Sequence, residues 1–228
     1  MKIPVFDLDW TLIAKAEPKV HHHAFLYAFK VLYNVNISDE GFKEGSIDNQ
    51  IIVESLSENG IPREKAIENL PKIHEVMIDY FMEHRHETVF KAMPGVAEAL
   101  EAISKKDIPM GLLTGNVEEI GWEKLRLAGI DQYFKFGAFG SMGLTRPDLV
   151  PIAATRASNK LNTIVTVNDL VVVGDTPLDV ECAKIGGAYS IAVGSGPKYP
   201  VDKLQSTGAN LIIGSMQETG KILEFLEA

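Results

Sequence analysis

The segment Ile3-Pro4-Val5-Phe6-Asp7-Leu8-Asp9-Trp10-Thr11-Leu12 is an apolar run that ends on two carboxylates two residues apart. Side chains alternate along an extended chain, so Asp7 and Asp9 leave the same face where a strand gives way to a loop. Taken alone, the pair reads equally well as ordinary turn chemistry, because Asp is common at strand ends. Two further apolar runs end in the same manner. Ile108 to Leu113 runs into Thr114-Gly115-Asn116, and Leu170 to Val173 runs into Gly174-Asp175-Thr176-Pro177-Leu178-Asp179. In a parallel sheet the carboxyl ends of all strands share one edge, where open α/β folds bind ligands. Three polar tips are therefore predicted to meet.

After Leu12 the periodicity becomes helical and stays so for some eighty residues. Val20, Ala24, Tyr27, Ala28, Val31 and Leu32 form one stripe, with Pro18 just upstream of it. Ser46 is a candidate cap for a helix carrying Ile47, Ile51 and Leu56 that stops at Asn59-Gly60. Further helices begin near Pro62 and after Pro71. From Met93-Pro94-Gly95 onward strands and helices alternate: helices around Val96 to Ile103, Ile120 to Ala128, Pro147 to Leu161, Leu178 to Ile185 and Met216 to Leu226, with strands at Phe134 to Phe139, Tyr189 to Val193 and Leu211 to Ile213. This pattern predicts an α/β fold: a Rossmann-like, doubly wound parallel sheet core over residues 1–14 and 92–228. Residues 15–91 form an α-helical insertion after the first strand. Such an insertion leaves from the carboxyl edge, so it is expected to lie over Asp7 and Asp9 as a lid.

The composition narrows the partners. A chain of 228 residues with 46% apolar residues supports a substantial core, and a net charge of -9 argues against a nucleic-acid surface. The lone Cys182 excludes an internal disulfide framework and a cysteine-based zinc site. No apolar run reaches membrane-spanning length, and the first strand begins within three residues of Met1, leaving no room for a signal peptide. The expectation is a cytoplasmic protein that engages neither nucleic acid nor membrane; the oligomeric state is not readable.

If Asp7, Asp9, Asp175 and Asp179 converge, electrostatics dictates the rest. Two unit charges about 4 Å apart repel by roughly 4 kcal/mol at an effective dielectric of 20, so the cluster must protonate or bind a cation. Hard oxygen donors with open positions suit Mg²⁺, which keeps its waters and bridges to phosphate. Thr114, Gly115 and Asn116 add a hydroxyl and closely approachable amides, the makings of a phosphate site. The chain has no GxxxxGK[ST] segment, so a carboxylate attacking phosphorus is the remaining candidate chemistry.

Asp7-Leu8-Asp9-Trp10-Thr11 resembles the first motif, DxDx[TV], of the haloacid dehalogenase superfamily. Leu113-Thr114-Gly115-Asn116 is similar to the second motif, and Gly174-Asp175-Thr176-Pro177-Leu178-Asp179 to the fourth, GDxxxD. The resemblance extends over essentially the whole chain and points to a helical-cap phosphatase of the phosphoglycolate phosphatase type. It implies that Asp7 is the nucleophile and a Mg²⁺ ligand. Asp9 would give its main-chain carbonyl to the metal and act as acid and base through its side chain, while Asp175 would complete the metal shell and Asp179 support it. Thr114, Gly115 and Asn116 would hold the phosphoryl oxygens, and the insertion would serve as the cap. Two positions depart from the family pattern. The third motif is usually Lys, where this chain offers Arg146-Pro147, with Arg156 a weaker alternative. Trp10 stands where the phosphatases most often have Gly.

Several features are read as structural. His21-His22-His23, His84 and His86 suit a solvated helix face, the Glu118-Glu119 pair a helix start, and Asp48, Asn49 and Gln50 a first helical turn. The expected activity is Mg²⁺-dependent hydrolysis of a small phosphorylated metabolite, phosphoglycolate-like or sugar-phosphate-like, through an aspartyl phosphate. Within the same superfamily the rivals are a phosphomutase of the beta-phosphoglucomutase type and a phosphonate hydrolase, the latter needing a cap lysine such as Lys15, Lys19, Lys30 or Lys43. Asp9 argues against a dehalogenase. A rival of another class is a non-enzymatic, phosphate-accepting receiver-like domain, although receivers are about half this length.

Overall fold

The computed structural model describes residues 2–14, 17–38, 42–43 and 45–228. Six strands, β1 (Ile3–Phe6), β2 (Met110–Thr114), β3 (Phe134–Phe139), β4 (Leu170–Gly174), β5 (Tyr189–Val193) and β6 (Leu211–Ile213), form one sheet in the order β3-β2-β1-β4-β5-β6. Every pairing is parallel. Parallel strands need crossovers, and the alternating helices α5 (Val96–Ser104), α6 (Glu118–Leu127), α7 (Leu149–Leu161), α8 (Pro177–Gly186) and the short α9 (Val201–Leu204) supply them, while α10 (Thr219–Glu227) follows the last strand. Between β1 and β2 lie α1 (Val20–Tyr33), α2 (Asp48–Glu58), α3 (Arg63–Glu68) and α4 (Leu70–His84).

The central strands are buried along their whole length, which is why they read as continuous apolar runs. Alternation sorts them onto two faces. Phe6, Leu112, Val171 and Val173 belong to one hydrophobic cluster, whereas Val5, Leu113, Leu170 and Val172 belong to a second, beneath α7 and α8. The first cluster runs on into the inserted helices and includes Phe25, Phe29, Ile52, Leu56, Ile73, Met77 and Phe81. The inserted helices and the sheet therefore share one continuous apolar core. The two chain segments leading into and out of the insertion run side by side: Ala14 N–H donates to the Lys91 carbonyl at 2.9 Å and Met93 N–H to the Leu12 carbonyl at 2.9 Å.

The expected boundaries of β3, β5 and β6 match the observed ones, and other elements shift by a few residues at their ends. Ser46 is not the cap of α2. The helix begins at Asp48 after Ile47, without a side-chain cap, because the main chain there is tied to the loop after β2 instead.

Candidate active site

β1 and β4 are neighbours at the centre of the sheet, and the connections leave from them to opposite sides. This is the switch point at which open α/β sheets form a crevice. Asp7 follows β1, and its N–H donates to the Val173 carbonyl of β4 at 2.9 Å, so the two strand tips are stitched together. Asp7, Asp175 and Asp179 place carboxylate oxygens within 4.8 Å of one another, all buried. The sequence separation between Asp7 and Asp175 is thus closed by the sheet, as predicted.

Asp179 is already committed. Its Oδ2 accepts from Thr176 N–H at 3.0 Å and Thr176 Oγ1 at 2.7 Å, a capping box at the start of α8, and its Oδ1 meets Arg146 Nη2 at 2.5 Å. Gly174 leaves the room for this arrangement, since a Cβ there would stand 2.1 Å from the Asp179 carboxyl carbon. Arg146 Nη2 also lies 3.0 Å from Asp7 Oδ1, and Nη1 donates to the Gly45 carbonyl at 2.7 Å. The side chain of Arg146 is 5% exposed, and its Nε has no partner among the described residues. Arg146 is therefore not a solvated helix-start residue. Arg156 lies elsewhere, paired with Glu118 at 2.8 Å and in contact with Met142. Of the two arginines weighed from sequence, Arg146 alone contacts Asp7.

Burial drives the pKa of Asp7 upward; Arg146 pulls it back, and Asp179 and Asp9 push it up again, for a net rise. Burial together with Asp179 and Asp7 pushes Asp175 up to about 8. Among the described residues, only Thr11 Oγ1, at 3.3 Å from Oδ1, is hydrogen-bonded to the Asp175 carboxyl. Burial also works against the Asp9 anion, but Lys124 and a hydrogen bond from Asn116 outweigh it and hold Asp9 at about 2. Two adjacent carboxylates are thus tuned in opposite directions, a pattern that marks functional sites.

Lys124 escaped the sequence reading. Its Nζ donates to both Asp9 oxygens at 3.0 and 2.9 Å and to Asn116 Oδ1 at 2.6 Å, and the side chain is 4% exposed. Asn116 Nδ2 in turn donates to Asp9 Oδ2 at 3.0 Å and to Thr114 Oγ1 at 2.9 Å. A signal was present: Lys124 falls on the buried stripe of α6 with Ile120, Gly121 and Leu125, where an unpaired ammonium would be very costly. Thr114 was expected to offer its hydroxyl to phosphate; instead it is fully buried with that oxygen taken by Asn116, whereas Gly115 and Asn116 line the cavity above Asp7.

That cavity measures about 360 Å³ and lies between the strand tips and the inserted helices, with Asp7, Asp9, Asp175, Arg146 and Lys124 on its floor. His21, assigned to a solvated face from sequence, lines it instead. Its Nε2 lies 3.0 Å from Asp48 Oδ2, with the pair 12% and 5% exposed, and its ring packs near Phe25 and Phe81. Asp48 and Asn49 do begin α2, yet both are buried. Asp48 Oδ2 accepts from Val117 N–H at 2.7 Å and Asp48 N–H donates to the Gly115 carbonyl at 2.8 Å, seating the insertion directly on the loop after β2. His84 keeps to the surface, paired with Glu87, and Lys30 is exposed outside the cavity. Lys19 and Lys43 line the cavity, and Lys15 lies outside the described residues. Cys182 is buried, and burial pushes its thiol up to about 12, so it has no thiolate to offer.

The donor set suits a hard divalent cation. Asp175 accepts from Thr11 at one oxygen and brings its carboxylate within 4.8 Å of that of Asp7, no amide of the described residues donates to the Asp9 carbonyl, and Asp175 sits against Gly196, where a Cβ would come within 2.2 Å of Oδ2. No sulfur or imidazole stands among these ligands, which disfavours zinc.

A parallel sheet with clustered buried carboxylates, a buried guanidinium and a cavity at its switch point defines a Rossmann-like α/β protein with a candidate ligand site at the carboxyl edge of its strands. Residues 4–193 match the model of the haloacid dehalogenase-like hydrolases, and the chain belongs to that family. It is 26% identical, over the full length of both chains, to a Clostridium perfringens protein named as a candidate pyrophosphatase, PpaX. A phosphoglycolate phosphatase from Neisseria meningitidis is 28% identical over 62% of this chain and 60% of its own. Among solved structures, that of a candidate phosphatase from Clostridium acetobutylicum superposes with a TM-score of 0.69 at 22% identity, covering 98% of each chain, and shares the fold. No described helix is long and apolar enough to cross a membrane.

Proposed function

We propose that this hydrolase is a Mg²⁺-dependent phosphatase acting on a small phosphomonoester through a phosphorylated Asp7. One observation carries the reading: Asp7 stands at the switch point with Arg146 Nη2 at 3.0 Å and Asp175 beside it, facing a cavity between the strand tips and the inserted helices. Names given to relatives, pyrophosphatase and phosphoglycolate phosphatase, agree with chemistry at phosphorus.

In the proposed reaction an Asp7 oxygen forms a bond to phosphorus as the bond from phosphorus to the substrate alkoxide breaks. The leaving oxygen takes a proton that Lys124 Nζ supplies through the hydrogen-bonded Asp9 carboxylate, which leaves Lys124 neutral and Asp9 ionised. Asp9 then removes a proton from water and returns it to Lys124, as the water oxygen bonds to phosphorus, the Asp7–phosphorus bond breaks and free phosphate departs. Arg146 and the amides of Gly115 and Asn116 hold the phosphoryl oxygens. Mg²⁺, held by Asp7, Asp175 and the Asp9 carbonyl, would supply charge neutralisation for the carboxylates and the phosphoryl group. Residues 15–91 act as a cap over a core formed by 1–14 and 92–228, excluding water while the ester is bound.

The test is phosphate release from a chromogenic phosphomonoester with and without Mg²⁺. Turnover that needs the cation and disappears in Asp7→Asn is expected. Stoichiometric phosphate labelling without turnover, or undiminished turnover in Asp7→Asn, would refute the reading.

A further inference from the structure

Trp10 lies three residues beyond Asp7 and has φ +66°. A bulky side chain rarely occupies this left-handed region, and such outliers persist only where surrounding structure enforces them. Two bonds do so here: Trp10 N–H donates to the Ile13 carbonyl at 2.8 Å, and Ser195 Oγ donates to the Trp10 carbonyl at 2.7 Å. The backbone is clamped, yet the side chain gains little from it. Trp10 belongs to none of the three hydrophobic clusters, its ring stacks on no other ring among the described residues, and its indole N–H has no partner among them. It is half-buried and lines the cavity with Asp7 and Asp9. Glycine would hold the same turn without strain. A large aromatic ring kept at a conformational cost, half-buried outside the hydrophobic clusters and with its donor unpartnered among the described residues, is placed for something that enters.

Resting on the phosphatase reading, we infer that Trp10 determines specificity by stacking on the ring of a phosphorylated sugar whose phosphate is seated at Asp7. An indole face covers the C–H face of a sugar ring, and its N–H donates to a ring oxygen or hydroxyl. The cavity supports this choice. Its volume of about 360 Å³ exceeds what a two-carbon acid such as phosphoglycolate fills, and it offers both apolar walls, Phe25, Phe42 and Phe90, and polar ones, His21 and Ser46.

The experiment compares kcat/KM for glucose 6-phosphate and for phosphoglycolate in the wild-type enzyme and in Trp10→Gly. The wild type should favour the sugar phosphate, and the ratio of the two constants should fall at least tenfold in Trp10→Gly, chiefly through KM for the sugar. Melting should be unchanged or raised, because glycine relieves φ +66°. A second measurement does not need turnover. The chain has two tryptophans, Trp10 and Trp122, so titrating glucose 6-phosphate into Asp7→Asn should change the emission, with the added Trp10→Phe substitution as the blank. A wild-type preference for phosphoglycolate, an equal loss on both substrates in Trp10→Gly, or emission that does not depend on Trp10 would overturn the inference. Absence of any phosphate release with the emission change intact would instead count against the phosphatase reading alone.

Discussion

The charge balance at the strand tips predicts that divalent metal stabilises the protein, and that it does so more strongly as pH rises. Carboxylate oxygens within 4.8 Å of one another repel by about 3–4 kcal/mol per ionised pair at an effective dielectric near 20. Arg146 relieves Asp7 and Asp179 but leaves Asp175 raised to about 8. A carboxyl whose folded pKa lies above its unfolded value stabilises the fold below the unfolded pKa, and this contribution is lost as pH rises through the folded one. Metal-free protein should therefore lose stability from about pH 4 to pH 8. Cation binding must displace the Asp175 proton, which is almost fully bound at pH 6 and half lost at pH 8, so this proton alone should raise apparent affinity about fifty-fold between them. With Mg²⁺ at about 100 times its dissociation constant at pH 8, stabilisation is about 2.7 kcal/mol, a rise in Tm of roughly 5–10 °C. The same concentration at pH 6 should give a rise of only about 1–3 °C. Thermal denaturation with MgCl₂ against NaCl of matched ionic strength measures both shifts. Equal shifts at the two pH values, or equal shifts from the two salts, would refute the reasoning.

Three substitutions probe the remaining contacts. Arg146→Met leaves Asp179, 1% exposed, and Asp7 without their cation; stability should drop by about 3–5 kcal/mol in urea denaturation and kcat by at least about a hundredfold. Lys124→Met keeps the stem of the side chain while releasing Asp9 and Asn116, so kcat should fall roughly 10- to 100-fold with KM within a few-fold. A matching rise in KM would show instead that Lys124 serves binding. Asp48→Ala removes the acceptor for Val117 N–H and should cost about 1–3 kcal/mol, visible as faster hydrogen exchange at Val117; unaltered exchange there would mean the insertion is seated by its apolar contacts alone.

The sequence by itself determined the strands, because central strands of a parallel sheet are buried on both faces and appear as apolar runs with polar ends. It also determined that Asp7, Asp9 and Asp175 lie at those ends, since the carboxyl tips of parallel strands share an edge whatever the details of packing. The second clamp on Asp7 was legible only as a choice between Arg146 and Arg156, and tertiary structure decided it: ten residues apart, the two arginines reach opposite surroundings, one Asp7 and the other Glu118. Lys124, 115 residues from Asp9, joins the site because α6 turns its buried stripe toward the tip of β1. His21 and Asp48 join it because the insertion folds down over the sheet edge, and Thr114 turns away because Asn116 takes its hydroxyl. Periodicity records which face of an element is buried; it does not record which partner that face meets, and these four positions depend on the partner.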